Sequence, residues 1–351
     1  MILAPTHENF MKRCLELAQN GLGNVSPNPM VGSVIVHNNR IIGEGYHKKF
    51  GGPHAEVNAI NSVADPLLLA ESTLYVNLEP CSHQGKTPPC ADLIIKSRIP
   101  RVVISNVDPH RLVAGKGIQK LKDAGIEVIT DILKDEGIEL NRRFFTYHRK
   151  SRPYIILKWA ETADGFLDIL RHPAMPKKPN WITNEQARML VHKWRSEEQC
   201  ILVGTNTAFM DNPQLNVRDW TGNNPLRVFI DRRLRLPRNL HLFDGSIKTL
   251  AFTAMEVEDP DLKGPEYITL GFDEYLPEHL LGELWRRNII SVIIEGGAKT
   301  LQTFISAGLW DEARVFTGNK YFSEGISAPK IEKIPVFREF KDEYKLDIYR
   351  N

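Results

Sequence analysis

Three short stretches carry the residues able to do chemistry: His54-Ala55-Glu56, Glu79-Pro80-Cys81 and Cys90. Catalytic zinc takes three protein ligands and keeps a fourth position for water. One imidazole, His54, and two thiols, Cys81 and Cys90, make such a set. Glu56 follows the histidine by two residues, so it can lie beside the metal without ligating it and move protons. A closed structural site would need a fourth protein ligand, for which only His83 is at hand, and it would give Glu56 no task. Two ordinary core thiols are the other bland reading of Cys81 and Cys90.

The order His-x-Glu, then Pro-Cys, then a second Cys is the signature of zinc deaminases that act on nucleobases. This sequence departs from it in one respect: the eight residues from Ser82 to Pro89 separate the cysteines, where two are usual. Glycine and proline punctuate that insert, which predicts a loop beside the metal. Its His83, Lys86 and Thr87 suit a polar, anionic substrate.

These groups need elements to hold them. Thr6 or Asn9 caps a helix running to about Asn20, with Phe10, Met11, Cys14, Leu17 and Ala18 on one face, so Cys14 reads as core. Ser26-Pro27-Asn28-Pro29 is a turn, because two prolines exclude a helix. Val31 to Val36 and Ile41 to Gly45 form a hairpin about Asn38-Asn39. His54 falls in the first turn of a helix. Thr73 to Leu78 is a strand delivering Cys81, and Cys90 opens another helix, whose N-terminus favours thiolate. Arg101 to Ser105, a helix ending at Ala124-Gly125, and Ile126 to Thr130 continue an alternation that predicts helices on a mostly parallel sheet. A last helix from about Asp135 to His148 precedes the basic linker Arg149 to Pro153.

The chain's 351 residues exceed one typical domain, and 42% apolar content is enough for two cores. With 45 basic against 43 acidic residues, a net charge of +2 offers no footprint for bulk nucleic acid or membrane. Four cysteines are too few for a disulfide framework. The N-terminal stretch has no basic-then-apolar leader and there is no long apolar run, so a cytoplasmic protein is expected.

In the second half, Tyr154 to Trp159, Ile201 to Val203, Val228 to Ile230, Thr249 to Phe252 and Ile289 to Ile294 read as strands. Thr183 or Asn184 caps a helix ending near Arg195, another helix spans 276–287, and Arg171 to Asn180 is a loop. Ile294 runs into Glu295-Gly296-Gly297 and a helix start at Ala298, where backbone amides can meet a pyrophosphate. Alone this is a weak signal, since a Gly pair usually serves a tight turn. The charged segment from Ile331 matches no motif.

Residues 1–150 resemble the deaminase half of the bifunctional riboflavin-biosynthesis deaminase/reductase family. The matching stretches are Ser26-Pro27-Asn28-Pro29-Met30-Val31-Gly32, Gly43-Glu44-Gly45-Tyr46-His47, Gly51-Gly52-Pro53-His54-Ala55-Glu56 and the whole run Glu79 to Cys90 with its insert. Residues 151–351 are expected as the second domain, and 153–351 are similar to the reductase half through Leu157-Lys158-Trp159-Ala160, Trp181-Ile182-Thr183, Ile201 to Thr207, Asp211 to Arg218 and Glu295-Gly296-Gly297. The resemblance implies an α/β chain: a cytidine-deaminase-like three-layer α/β/α domain, then a dihydrofolate-reductase-like α/β domain. It implies one zinc per chain, NADPH, and the substrate 2,5-diamino-6-ribosylamino-4(3H)-pyrimidinone 5′-phosphate, deaminated and then reduced from ribosyl to ribityl. Asn28, His47, His83, Lys86 and Thr87 would surround the substrate in the first domain. In the second, Ala160, Trp181, Thr207, Asp211 and Gly297 would contact NADPH, and Arg195, Leu215, Arg218 and Glu295 the substrate, the arginines gripping its phosphate bidentately. The partners expected are this small phosphorylated pyrimidine and further copies of the chain in a homo-oligomer, with no nucleic acid and no membrane. Two features depart from the family: Phe166-Leu167-Asp168 with a long loop to Trp181, and Arg232, where a serine near the cofactor is expected. They motivate the alternative of an inactive reductase-like domain; a zinc deaminase acting on another nucleotide or on nucleic acid is the other.

Overall fold

The structure, a computed structural model, describes residues 5–82, 88–110, 113–172, 178–257 and 264–351. His83, Lys86 and Thr87 lie outside the described residues. The chain divides into two compact units, Met1–Ser151 and Arg152–Asn351.

The first unit carries α1 (His7–Gln19), β1 (Gly32–His37), β2 (Arg40–Tyr46), α2 (Ala55–Asn61), β3 (Thr73–Leu78), α3 (Cys90–Lys96), β4 (Arg101–Asn106), α4 (Lys116–Asp123), β5 (Glu127–Ile129), α5 (Lys134–Leu140) and α6 (Arg142–Lys150). Its sheet runs β2-β1-β3-β4-β5. The expectation of a mostly parallel sheet needs correction: β1 is antiparallel to both β2 and β3, and only β3-β4 and β4-β5 are parallel. The two-residue turn at Asn38-Asn39, with φ of 48° and 60°, can join only antiparallel strands and so sets the direction of the β1-β2 pair. Side chains alternate across the sheet as a two-residue period demands. Val34, Val36, Tyr75 and Val103 pack on Phe10, Met11, Cys14 and Leu17 of α1. Ile35, Leu74, Val76, Val102 and Ile104 pack on Ala59 and Ile60 of α2, Ala91 and Ile94 of α3, and Leu121 of α4. The result is three layers, α/β/α.

The single helix expected from Asp135 to His148 is two, broken at Asn141. There the side-chain Oδ1 accepts from the Met30 amide and Nδ2 donates to the Met30 carbonyl, both at 2.8 Å. Asn77 donates to the same carbonyl at 3.0 Å. These buried bonds pin the turn that carries Asn28.

The second unit contains β6 (Tyr154–Glu161), β7 (Phe166–Asp168), α7 (Glu185–Glu197), β8 (Cys200–Val203), α8 (Thr205–Asp211), β9 (Leu226–Ile230), β10 (Thr249–Thr253), β11 (Glu266–Thr269), α9 (Leu276–Arg286), β12 (Ser291–Glu295), α10 (Ala298–Ser306), β13 (Glu312–Gly318), β14 (Ile326–Ser327), β15 (Phe337–Phe340) and β16 (Tyr344–Arg350). Nine strands form one sheet in the order β11-β10-β9-β8-β12-β6-β13-β16-β15. All neighbours from β11 to β13 are parallel, and β16 runs antiparallel to β13 and β15. Leu280, Leu281 and Leu284 of α9 with Leu301 and Phe304 of α10 cover one face. Ala187, Val191 and Trp194 of α7 with Ala208 of α8 cover the other. Parallel strands buried on both faces read as continuous apolar runs, as Ser291–Glu295 does. Among the described residues no helix is long and apolar enough to cross a membrane.

Candidate functional sites

In the first unit, His54 is the N-cap of α2, one residue before the helical turn the sequence suggested, with extended backbone (φ −71°, ψ 165°). Cys81 follows the end of β3, and Cys90 is the first residue of α3. Their ligand atoms converge: His54 Nδ1 lies 3.6 Å from Cys81 Sγ and 3.3 Å from Cys90 Sγ, and all three lie within 4.8 Å of one another. Tetrahedral zinc with ordinary Zn–S and Zn–N bonds needs N···S edges of about 3.6 Å, so the donor set fits that ion. The Cys90 amide donates to Cys81 Sγ at 3.3 Å, which favours thiolate. The Cys90 thiol, hydrogen-bonded to Cys81, draws the Cys81 pKa down from its ordinary value; burial opposes and His54 assists.

Glu56 is buried on the first turn of α2, and burial pushes its carboxyl up to about 7 against the pull of His54. It lines a cavity of about 650 Å³ with Asn28, His47, His54, Cys81 and Asp108. Within it His47 is a fixed, neutral element. Pro53 O can only accept, so His47 Nδ1 donates to it at 3.0 Å, and Nε2 accepts from Asn28 Nδ2 at 3.1 Å. Burial lowers the His47 pKa, in keeping with the neutral ring. Asn28 is thereby oriented.

Sequence reasoning missed the opposite wall: Asp108, His110, Phe144 and His148. Asp108 Oδ1 accepts from the His110 amide at 2.8 Å, and the two imidazoles meet edge to face at 5.0 Å. Burial, then His110, holds His148 down at about 4. The signal that could have found this wall is Glu79. Its buried carboxylate ligates nothing but backbone: Oε2 accepts from Asp108 N (3.2 Å) and Gly115 N (2.9 Å), Oε1 from Gly117 N (2.8 Å) and Ile118 N (3.2 Å). An ideal Cβ on Gly117 would sit 2.0 Å from the Pro80 carbonyl oxygen, so glycine alone allows this approach.

In the second unit a cavity of about 760 Å³ opens at the carboxyl ends of β8, β9 and β12, where parallel α/β sheets bind ligands. Gly296 and Gly297 line it with φ of 83° and 79°, and ideal Cβ atoms there would meet Thr207 at 3.2 and 3.1 Å. Bare backbone and the start of α10 thus face a space that a side chain would fill, which fits a dinucleotide's pyrophosphate. Thr207 and Asp211 also line it, but Ala160 and Trp181 do not; Trp181 is 49% exposed, under the Arg188 guanidinium. Arg171, from the segment that departs from the family pattern, is locked between Asp168 (2.7 Å) and Asp211 (2.8 Å) on the cavity wall.

Arg195, Leu215 and Glu295 are each buried, Leu215 with φ 51°, and Arg195 meets Glu295 directly. The expected bidentate grip of Arg195 on a phosphate requires correction. Its Nε and Nη2 are both spent on Glu295 at 2.8 Å, and Nη1 on the Asn216 carbonyl at 3.2 Å. Burial would raise the Glu295 pKa, yet Arg195 and then Lys158, 3.7 Å away, hold it at about 2. Arg218 stands further out, its side chain 40% accessible, with Nη1 on Asn216 Oδ1 at 3.1 Å.

Comparison with known proteins bears on both sites. Residues 4–106 match the family of the cytidine and deoxycytidylate deaminase zinc-binding region, and residues 153–323 match the RibD C-terminal domain. The riboflavin biosynthesis protein RibD of Aquifex aeolicus (strain VF5) is 41% identical over 326 residues, spanning 91% of this chain and 89% of that protein. A Thermotoga maritima structure, a diaminohydroxyphosphoribosylaminopyrimidine deaminase/5-amino-6-(5-phosphoribosylamino)uracil reductase, is 40% identical with a TM-score of 0.85 over 98% of both chains. Acinetobacter baumannii RibD (form 1) is 33% identical with a TM-score of 0.86 over 97% of both.

Proposed function

The chain belongs to the RibD family of riboflavin biosynthesis proteins, and from that premise we propose a division of labour between its two cavities. It is a bifunctional enzyme, a zinc deaminase joined to an NADPH-dependent reductase, with a cytidine-deaminase-like fold followed by a dihydrofolate-reductase-like one. In our reading residues 1–151 deaminate 2,5-diamino-6-ribosylamino-4(3H)-pyrimidinone 5′-phosphate, and residues 152–351 reduce the ribosyl group of the product to ribityl. The setting proposed is cytoplasmic and homo-oligomeric, the latter because Val336, Phe337 and Phe340 are exposed on and beside edge strand β15.

His54, Cys81 and Cys90 hold the zinc, which when bound supplies a Lewis acid that activates water near neutral pH. Glu56 would carry two protons in turn: one from the attacking water to the ring nitrogen as the C–O bond forms, and a second from the added hydroxyl to the amino group as the C–N bond breaks and ammonia leaves. Asn28, oriented by neutral His47, presents its Oδ1 to the ring's amino groups. The dry environment of buried Glu56 keeps the proton from bulk water. The observation that carries this reading is the convergence of His54 Nδ1, Cys81 Sγ and Cys90 Sγ in the cavity that Glu56 lines.

In the second cavity NADPH supplies the hydride. Gly296, Gly297 and the start of α10 cradle its pyrophosphate, and Thr207 and Asp211 bind beside it. Arg195 positions Glu295 toward the sugar, and Arg218 meets the substrate phosphate.

The test follows ammonia release and NADPH oxidation with the diaminopyrimidinone phosphate as substrate. Glu56→Gln retains one zinc per chain, loses deamination by about 10²- to 10⁴-fold, and still reduces the deaminated intermediate when that is supplied. Near-normal ammonia release by this variant would overturn the assignment.

A further inference from the structure

The second unit buries one imidazole that neither reaction uses. His192 is 1% exposed, on the inner side of α7. Arg188, His192 and Arg195 follow one another at spacings of four and three, so they form one stripe along that helix. All three reach the same short loop, 216–219. Arg195 Nη1 donates to the Asn216 carbonyl at 3.2 Å. His192 Nδ1 accepts from the Arg218 amide at 3.0 Å and, at 3.5 Å, from the Asp219 amide. Arg188 Nε donates to Asp219 Oδ2 at 2.8 Å.

These contacts fix the state of the ring. A backbone amide can only donate, so Nδ1 carries no proton and Nε2 does, and Nε2 faces Asp219 Oδ2 at 3.4 Å. Burial first, and then Arg195 and Arg218, hold the His192 pKa at about 4, in keeping with a neutral ring. A backbone N–H withdrawn from water needs an acceptor, and for Arg218 one comes from 26 positions earlier. The residue between is held as well, since the Val217 amide donates to Asn224 Oδ1 at 2.7 Å. Every residue of the loop is therefore tied down by its backbone. The Arg218 side chain, 40% accessible, leaves it for a surface recess lined with Asp219 and Trp220. Arg195 also joins the loop to Glu295, its partner at the end of β12. Directed bonds from a guanidinium to a phosphate require that its anchor be held to within about 0.5 Å.

We infer that His192 is a positioning residue: as a neutral acceptor it sets the backbone of Arg218, and so holds that guanidinium where the substrate's 5′-phosphate binds in the reductase half. The inference rests on the reading of Arg218 as the partner of that phosphate.

The test is inhibition of NADPH oxidation in the zinc-loaded full chain, with the deaminated ribosyl compound as substrate. Two inhibitors are compared, the ribityl product and the same compound without its 5′-phosphate, so the ratio of their inhibition constants reads phosphate recognition at this site alone. The wild type should favour the phosphorylated form by about 10- to 100-fold, the range of charge-assisted hydrogen bonds. Arg218→Gln should bring the ratio close to one. His192→Leu should lose most of it while NADPH affinity, measured by titration, shows that the unit is folded. His192→Asn, whose Oδ1 stands where Nδ1 stood, should recover part. His192→Gln sets its oxygen one bond further out; it serves where the leucine variant does not fold, and should also lose most of the preference. In the double variant, His192→Leu should add nothing to Arg218→Gln, because it acts only through that arginine. An intact ratio in folded His192→Leu or His192→Gln overturns the inference, as does a leucine effect that persists undiminished without Arg218. A His192→Asn variant no better than the leucine one assigns the loss to packing and overturns it too. No preference in the wild type, or an intact ratio in Arg218→Gln, is a different result: it takes the phosphate away from Arg218, and the inference falls with that reading.

Discussion

Glu79→Gln is an almost isosteric change whose cost can be worked out. Each carboxylate oxygen accepts two backbone N–H groups. Whichever way the amide is turned, its NH2 group faces two donors it cannot satisfy. Two bonds to a charged acceptor are lost, two buried N–H groups are orphaned, and the surviving pair is weakened to neutral strength. At about 1.5–3 kcal/mol for each bond to a charged group, the loss is about 3–6 kcal/mol. Glu79 is only 4% exposed, so water cannot take over. For a unit of this size that corresponds to a fall of about 10 °C or more in unfolding temperature. All six tryptophans lie beyond residue 151. Tryptophan emission therefore reports the second unit alone, and circular dichroism reports both. In thermal unfolding of the zinc-loaded full chain, the dichroism transition of the first unit should move down while the emission transition stays. Hydrogen exchange should localise the damage to the amides of Asp108, Gly115, Gly117 and Ile118. A first-unit shift under about 2 °C, with those amides still protected, would refute the reasoning.

Gly297→Val puts a β-branched side chain at φ 79° and against Thr207 Oγ1, in the space assigned to the pyrophosphate; NADPH affinity should fall about 100-fold or more in titration, with ammonia release unchanged. Unaltered affinity in a folded variant would take this turn out of the cofactor's path. The depressed pKa of Glu295 also sets a pH dependence. A carboxyl held at about 2 contributes stability that is fully present above its ordinary, unfolded-state pKa and is lost as pH falls through about 2. Tryptophan-monitored stability of the second unit should therefore drop below the ordinary Glu range. In Glu295→Gln it should be lower at neutral pH, with Arg195 left unpaired, and less steep in acid; an equally steep acid limb would assign the loss elsewhere.

The two halves of the molecule differed in what the sequence could reveal, for physical reasons. Around the zinc, His54, Glu56, Cys81 and Cys90 are held by short local elements whose periodicity and caps are readable, so the donor set could be picked out by spacing. The break at Asn141 was not legible, since nothing in Leu140-Asn141-Arg142 tells that its side chain will leave the helix for Met30, 111 positions away. Glu79 looked like part of a catalytic motif, but only tertiary structure brings four amides to it. Near Arg195 the sequence put Glu295 in the same set of residues, and those two side chains do meet, yet it gave the guanidinium's donors to a phosphate, because Glu295 comes from a strand 100 positions later. The last strands were unreadable for another reason. Charge dominates that segment, and Tyr344 and Leu346 of β16 become core only by lying beside β13.

The second sheet has a history as well as a shape. Its strand β6 is buried between β12 and β13, yet β12 begins 130 positions after β6 ends. At about 5–20 residues per second of synthesis, the apolar run Tyr154-Ile155-Ile156-Leu157 waits roughly 7–26 s for its first neighbour. The antiparallel strands β1, β2 and β3 of the first unit close over a far shorter length of chain. A ribosome making this protein therefore carries a completed deaminase fold while the reductase's central strand is still unpaired and open to chaperones. Heat stress or overexpression, which crowd that interval, should strike the reductase half first.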